Sequence, residues 1–175
     1  MRRAAALALL VLGACDDKHA PTVPSEPHWT TRPIQKAIGQ TRGTRYAIDL
    51  PVGMSIKDRD KQGMRHTLPG IAITLSIGGI EHSLADYKDT HSDDKFLRED
   101  SLPDGFSVTL QSPTYTDPRY VTVHQYRTFG LVTTSGHEGM TCHIELSPVP
   151  GGEATRTYVP VAEKLCASLQ MLADE

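Results

Sequence analysis

The feature that most limits how this chain can fold is a short apolar run at its amino terminus. Arg2 and Arg3 are followed by nine consecutive apolar residues, 4–12. A helix that spans a bilayer needs roughly 20 such residues, so this run is too short for a permanent anchor. Its length and its positive flank are typical of a secretory signal peptide. We therefore exclude residues 1–14 from the folded protein and expect the remainder to fold outside the cytoplasm.

A cysteine follows the apolar run directly, in the sequence Leu12-Gly13-Ala14-Cys15. This arrangement resembles the lipobox of bacterial lipoproteins. The resemblance implies cleavage before Cys15, a diacylglyceryl thioether on its thiol and usually an acylated amine. Two or three acyl chains hold a protein firmly on a membrane, whereas one chain binds only marginally. The alternatives are an ordinary signal peptide and a twin-arginine export signal. Only the pair Arg2 and Arg3 supports the twin-arginine signal.

Residues 15–33 are predicted to form a tether between the lipid and the domain. They include four prolines among polar residues, a composition that favours an extended, semi-stiff linker. Asp16, directly after the cysteine, resembles the signal that retains enterobacterial lipoproteins in the inner membrane. We therefore expect the periplasmic face of the inner membrane, with the outer membrane as the alternative. Trp29, near the end of the tether, is expected either to dock on the domain or to sit at the membrane interface.

The mature chain is mildly acidic, and its charge is unevenly distributed. Removal of residues 1–14 takes Arg2 and Arg3 from the 18 bases, which leaves 16 bases against 21 acids and a net charge of −5. Such a protein lacks the basic face that nucleic acid requires, so no nucleic acid partner is expected. Residues 42–66 carry six bases and three acids, whereas residues 81–104 carry eight acids and three bases. These segments indicate either a partner-binding face or ordinary solvated surface.

Alternating apolar residues predict a single α+β domain over residues 34–175, an antiparallel β-sheet with helices packed on it, similar to an α/β/α sandwich. A helix is predicted from Ser83 to residue 100. Ser83 is its N-cap, and the Asp86 side chain, three residues later, can accept a hydrogen bond from the Ser83 backbone N–H in a capping box. A final amphipathic helix is predicted over residues 154–172. The predicted strands cover residues 44–50, 64–77, 106–111, 120–128, 131–134 and 140–146.

Two cysteines remain once Cys15 is lipidated, namely Cys142 and Cys166. Cys142 shares its predicted strand face with Met140 and Ile144, and Cys166 lies on the apolar stripe of the last helix. Both sulfurs therefore point into the same layer, and exported domains keep disulfides. We predict a Cys142–Cys166 disulfide, with two buried free thiols as the alternative.

The start of the domain, Tyr46-Ala47-Ile48-Asp49-Leu50-Pro51-Val52-Gly53-Met54, resembles the start of PsbP-type domains and of their DcrB-like lipoprotein relatives. The order of elements over residues 44–172, which ends in a long strand, a loop and an amphipathic helix, is also similar. The resemblance implies an α/β/α sandwich around an antiparallel sheet. It further implies an accessory or binding role, without an active site to transfer to this chain.

Polar clusters in the sequence support no assignment of a catalytic or metal-binding residue. Ser135, His137 and Glu138 are close together in a turn, but catalytic triads assemble through tertiary geometry rather than adjacency. His91, Asp93 and Asp94 lack the spacing of a calcium loop. Cys142 and His143 are adjacent on a strand, so they point to opposite faces and cannot share an ion. We expect no cofactor beyond the covalent lipid on Cys15.

Three functions are consistent with these features. The first is a membrane-anchored envelope lipoprotein that acts as a non-enzymatic accessory or binding module, with the membrane and another envelope protein as partners. The second is a periplasmic hydrolase with loop-borne catalytic residues. The third is a lipoprotein that binds a metal or a small ligand.

Overall fold

The computed structural model describes residues 28–58, 63–77, 83–111, 120–129, 132–133, 136–137, 139–148 and 155–172. Cys15, the predicted signal peptide and the predicted tether up to residue 27 lie outside these ranges. Over the part of the chain that is described, no helix combines the length and the apolar character needed to cross a membrane.

Twelve strands and two α-helices are found within the described residues. The helices are α1 (Leu84–Thr90) and α2 (Val159–Ala167), and 3-10 turns cover Trp29–Thr31 and Thr155–Tyr158. The strands are β1 (Ile34–Thr41), β2 (Thr44–Pro51), β3 (Ser55–Asp58), β4 (Met64–Leu68), β5 (Ile71–Ile77), β6 (Lys95–Leu102), β7 (Gly105–Gln111), β8 (Val121–Arg127), β9 (Val132–Thr133), β10 (Gly136–His137), β11 (Met140–Leu146) and β12 (Gln170–Met171).

Seven of these strands form a central antiparallel sheet in the order β3-β4-β5-β11-β8-β7-β6. A three-stranded sheet in the order β1-β2-β12 packs on it, and β9 and β10 form a small separate pair. The predicted α+β class, an antiparallel sheet with helices packed on it, is thereby confirmed.

The central sheet carries a hydrophobic layer on each side. The face that α2 and the three-stranded sheet cover is called the α2 face, and the face that α1 covers in part is called the α1 face. The α2-face layer is mainly aliphatic and includes Ile48, Ile73, Leu75, Ile144 and Leu165. The α1-face layer is smaller and aromatic: Tyr87, Phe106, Val108, Leu110 and Tyr126.

The predicted disulfide is present between these elements. Cys142 of β11 and Cys166 of α2 are bonded across 5.6 Å between their Cα atoms, and both are buried in the α2-face layer. The alternation of β11 and the helical stripe of α2 bring the two sulfurs together as expected.

The predicted helix over residues 83–100 is wrong beyond its first two turns. Ser83 caps α1 as expected, its Oγ accepting a hydrogen bond from the Asp86 N–H at 3.1 Å. The helix ends at Thr90, and the chain then forms strand β6, which pairs with β7. Charged residues fill β6 because it is the edge strand of the sheet, where only one neighbour constrains the side chains.

Three further boundaries differ from the prediction. The single strand predicted over residues 64–77 is a hairpin, because Pro69 and Gly70 form a turn in which Gly70 has a φ of 86°. The last helix covers only Val159–Ala167 and is followed by β12. At the other end, Trp29 is buried and packs edge-on against Tyr158 with 5.8 Å between the ring centroids. Residues 28–33 of the predicted tether therefore belong to the folded domain.

Candidate functional site

The α1 face carries a row of polar side chains beside the aromatic layer. Strand β11 lies between β8 and β5. Strand register places its His143 opposite His124 of β8 and opposite Thr74 of β5. Glu145 lies two residues further along β11 and so projects from the same face. Arg65 of β4 is opposite Thr74 and completes the set. We refer to Arg65, Glu145, His143 and His124 as the polar row.

An ion pair at one end of the row reaches across a strand. The Arg65 Nη2 donates a hydrogen bond to the Glu145 Oε2 at 2.6 Å, over the short side chains of β5. The His143 Nε2 lies 3.7 Å from the Glu145 Oε1, which is a contact but too long for a hydrogen bond. The His143 ring and the Arg65 guanidinium lower the pKa of Glu145 to about 2, against partial burial, which acts to raise it. Glu145 is therefore an anion at neutral pH.

At the other end of the row, His124 is buried under rings. Its imidazole lies 4.5 Å from the Tyr87 ring and 5.8 Å from the His143 ring, centroid to centroid. Its Nδ1 has no hydrogen-bond partner among the described residues. Burial, with smaller contributions from the charges of His143 and His91, lowers the pKa of His124 to about 3. His124 is therefore neutral at physiological pH, and Tyr87 anchors α1 on it.

The row thus changes from buried to accessible across the sheet, from β8 through β11 to β4. His124 is sealed beneath α1, whereas His143, Glu145 and Arg65 are partly exposed beyond the helix. Hydroxyl groups of Thr74, Ser76 and Thr141 project from the same face by strand register. This surface can donate and accept hydrogen bonds and presents one fixed anion beside one fixed cation. Such an arrangement suits recognition of a polar partner surface.

A charged groove of about 360 Å³ lies on the opposite face, between α2 and the strands β6 to β8. Arg98 bridges two acids there, with its Nη1 2.9 Å from the Glu163 Oε2 and its Nε 2.7 Å from the Asp100 Oδ2. Thr109 also donates a hydrogen bond to Glu163 at 3.1 Å. The charges that line the groove are therefore already paired with one another.

The residues singled out from the sequence are not assembled into a reactive site. Cys142 is bonded in the α2-face layer while His143 projects from the α1 face, so the predicted opposite orientation is confirmed. His91 is the C-cap of α1 and stacks on Tyr87 at 4.0 Å. Ser135, Glu138 and the side chain of His137 lie outside the described residues. Within the described ranges, no three His, Cys, Asp or Glu side chains are grouped so as to hold a metal ion.

Sequence reasoning missed Arg65 and Glu145, although part of the signal was present. The alternation in Thr141-Cys142-His143-Ile144-Glu145 places His143 and Glu145 on one face once Cys142 and Ile144 are assigned to the core. Arg65 is 80 residues away in the sequence from its partner. Its place in the row depends on which strands are neighbours, and no local pattern encodes that.

Comparison with known proteins shows the fold and leaves the function open. No protein family profile matches this chain, and no curated protein matches it. Among solved structures, the chain is similar to the Ran-binding protein Mog1p of Saccharomyces cerevisiae, with a TM-score of 0.51 and 9% sequence identity. The match covers 79% of this chain and 96% of Mog1p. At this identity the similarity shows an α+β fold alone, and the resemblance to PsbP-type and DcrB-like domains stays a prediction.

Proposed function

We propose that this chain is an exported lipoprotein, held on the periplasmic face of a bacterial membrane through lipid on Cys15. Its domain is a non-enzymatic binding module that meets another envelope protein through the polar row. The inner membrane is the proposed location, on the basis of Asp16 after the lipidated cysteine.

The observation that carries the proposal is the buried disulfide between Cys142 and Cys166. Disulfides persist in the periplasm and are rare in the reducing cytosol. The apolar run before Cys15 is also typical of exported proteins. Two independent parts of the chain therefore support the same compartment, and the lipobox adds the form of attachment.

The binding role is supported by the polar row itself. The Arg65–Glu145 ion pair crosses an intervening strand at 2.6 Å and holds two opposite charges side by side on the sheet face. Fixed charges of this kind give specificity to protein interfaces, because a wrong partner leaves them unpaired. They lie beside α1 rather than beneath it, where another protein can reach them.

Metabolic labelling with palmitate tests the lipoprotein proposal. We expect label on the wild-type chain and loss of label with Cys15→Ser. The matched control is Cys142→Ser, which should retain the label because that thiol is not in a lipobox. Label that persists in Cys15→Ser would end the lipoprotein proposal.

Site-specific photo-crosslinking in intact envelopes tests the binding role. A photoreactive amino acid at position 143 should give a discrete adduct with another envelope protein. The matched control is position 164, an exposed residue of α2 on the other side of the sheet. An identical adduct pattern from both positions, or none from position 143, would contradict the proposed binding face.

The groove beside α2 favours a second candidate function, a lipoprotein that binds a small polar ligand. Its volume of about 360 Å³ is within the range of small-molecule sites. Ligand-observed NMR with a mixture of small polar compounds tests this candidate. Binding that Glu163→Gln abolishes would support it, and binding that the substitution leaves unchanged would exclude the groove.

A further inference from the structure

The outer side of the three-stranded sheet exposes large apolar side chains. In β1, Ile34 is 52% exposed and Ile38 is 66% exposed. Lys36 lies between them on the same side of the strand. The inner side of this sheet is packed, because Tyr46 and Ile48 of β2 belong to the α2-face layer. The isoleucines therefore point away from the central sheet.

Another exposed apolar residue follows β2 directly. Val52 is 39% exposed. The Val52 N–H donates a hydrogen bond to the Pro33 carbonyl, directly before β1, at 2.9 Å. The Arg32 Nη1 donates to the Val52 carbonyl at 3.3 Å, so a guanidinium borders the apolar residues. We refer to Ile34, Lys36, Ile38 and Val52 as the β1 surface.

The segment that contains the β1 surface has a charge opposite to that of the whole chain. Residues 28–56 carry four bases and one acid, a net charge of +3, whereas the full chain has a net charge of −3. Isolated exposed apolar residues need no explanation. A basic region that bears several of them on an acidic protein is complementary to an anionic lipid surface, which attracts Lys and Arg at close range.

The polypeptide also enters the domain at this surface. Twelve residues separate Cys15 from His28, which allows a span of at most about 45 Å. Trp29 is buried, so the entry point is fixed on the domain directly before β1. A lipid on Cys15 would therefore hold the β1 surface within reach of the bilayer, where a tether acts as a high effective concentration.

We propose that the β1 surface docks on the anionic lipid surface to which the tether attaches, an inference that depends on the proposed lipidation of Cys15. The isoleucines enter the headgroup region and the basic side chains contact lipid phosphates. Because β1 and the α1 face lie on opposite sides of the molecule, docking directs the polar row away from the membrane. The partner-binding face is then presented to the periplasm.

The test uses the lipidated mature protein in vesicles of zwitterionic lipid with or without anionic phosphatidylglycerol. An environment-sensitive fluorophore is attached at Gln40→Cys, an exposed outer position of β1 that leaves the β1 surface intact. The matched control is Asp89→Cys, an exposed position of α1. Cys142 and Cys166 are bonded and Cys15 carries lipid, so the label has one target.

We expect a shift of emission to shorter wavelength at position 40 in anionic vesicles, and none at position 89. The shift should diminish with Lys36→Glu and in 1 M salt, where the Debye length falls to about 3 Å. It should disappear when Ile34 and Ile38 are both changed to Ser. Circular dichroism of each variant confirms that the fold is retained.

Flotation of the same samples separates this inference from the proposed function. Protein that floats with the vesicles but shows no shift at position 40 would overturn docking and leave the lipoprotein proposal intact. Protein that does not float would remove both. A concentration-dependent shift in detergent, without anionic lipid, would show that a second copy pairs with the β1 edge, and would also overturn docking.

Discussion

The two faces of the central sheet differ in how they are covered. The α2 face is closed by a helix, a three-stranded sheet and Trp29, and a disulfide crosses its layer. The α1 face is covered in part by a helix of seven residues, and its aromatic layer gives way to the polar row. The difference indicates that stability is concentrated on one face, which leaves the other free to present polar groups.

Among the described residues, each face nevertheless has one buried histidine, and burial lowers the pKa of both. His66 lies on the α2 face, and neither of its ring nitrogens has a hydrogen-bond partner among the described residues. His124 lies on the α1 face and has the larger shift, to about 3. The two histidines therefore allow the faces to be compared with the same chemistry.

Removal of the disulfide should be the largest single loss and should act through the α2 face. The two cysteines are 24 residues apart, and closure of a loop of that length contributes about 3 kcal/mol. We expect the double variant Cys142→Ala, Cys166→Ala to lose that amount of unfolding free energy in urea titrations.

The control for this prediction is the reduced wild-type protein, which should lose a similar amount of unfolding free energy while it keeps both sulfur atoms. If both species unfold at the midpoint of the oxidised protein, the disulfide does not stabilise the α2 face and the proposed division between the faces is wrong.

Acid should weaken the α1 face more than the α2 face. Below the ordinary histidine pKa of 6.5, the unfolded chain binds a proton that folded His124, with a pKa of about 3, does not. The contribution of His124 to the unfolding free energy is therefore at its maximum above pH 6.5. Below about pH 6, protonation of this residue in the unfolded chain lowers the unfolding free energy by about 1.4 kcal/mol per pH unit. We expect His124→Phe, which keeps a ring beneath Tyr87, to flatten the dependence between pH 6.5 and 5.

His66→Phe is the matched variant on the α2 face. It should flatten the same profile less, because the pKa of His66 is lowered less than that of His124. Glu145 does not interfere, since its stabilisation is lost only as pH falls from about 4.5 towards 2. Equal slopes for the wild type and His124→Phe would contradict a buried neutral His124.

The parts of the fold that the sequence predicts are those with strong two-residue periodicity. Strands β5, β8 and β11 alternate or are rich in β-branched residues, and all three lie within strands that the sequence predicts. The disulfide follows from that alternation in β11 together with the helical stripe of α2. Its prediction needed only the facing directions of Cys142 and Cys166.

The edge strands are where prediction from the sequence fails. Strand β6 is composed of Lys, Phe, Leu, Arg, Glu, Asp and Ser, and most of these residues favour helices or turns in isolation. Pairing with β7 overrides that preference. Strand β1 has an exposed side and no clear apolar alternation in its sequence, and it is not among the predicted strands. Local sequence patterns do not predict the polar row, because the row depends on the spatial order of β4, β5, β11 and β8.

The ion pair of the polar row should contribute less to stability than the disulfide or the buried His124. The Arg65 and Glu145 side chains are 25% and 30% exposed, and pairs in such positions contribute about 0–1 kcal/mol. Glu145→Gln should therefore lower the unfolding free energy by less than about 1 kcal/mol. The same substitution should reduce the adduct formed from position 143, because the fixed anion is lost.

Glu163→Gln is the matched control, since it removes the carboxylate paired with Arg98 on the α2 face. It should cost a similar small amount of stability and leave the adduct unchanged. A loss above about 2 kcal/mol for Glu145→Gln would show that the pair behaves as a buried structural element. An unchanged adduct would show that the partner does not contact Glu145. Only a small stability loss together with a reduced adduct supports a face built for binding.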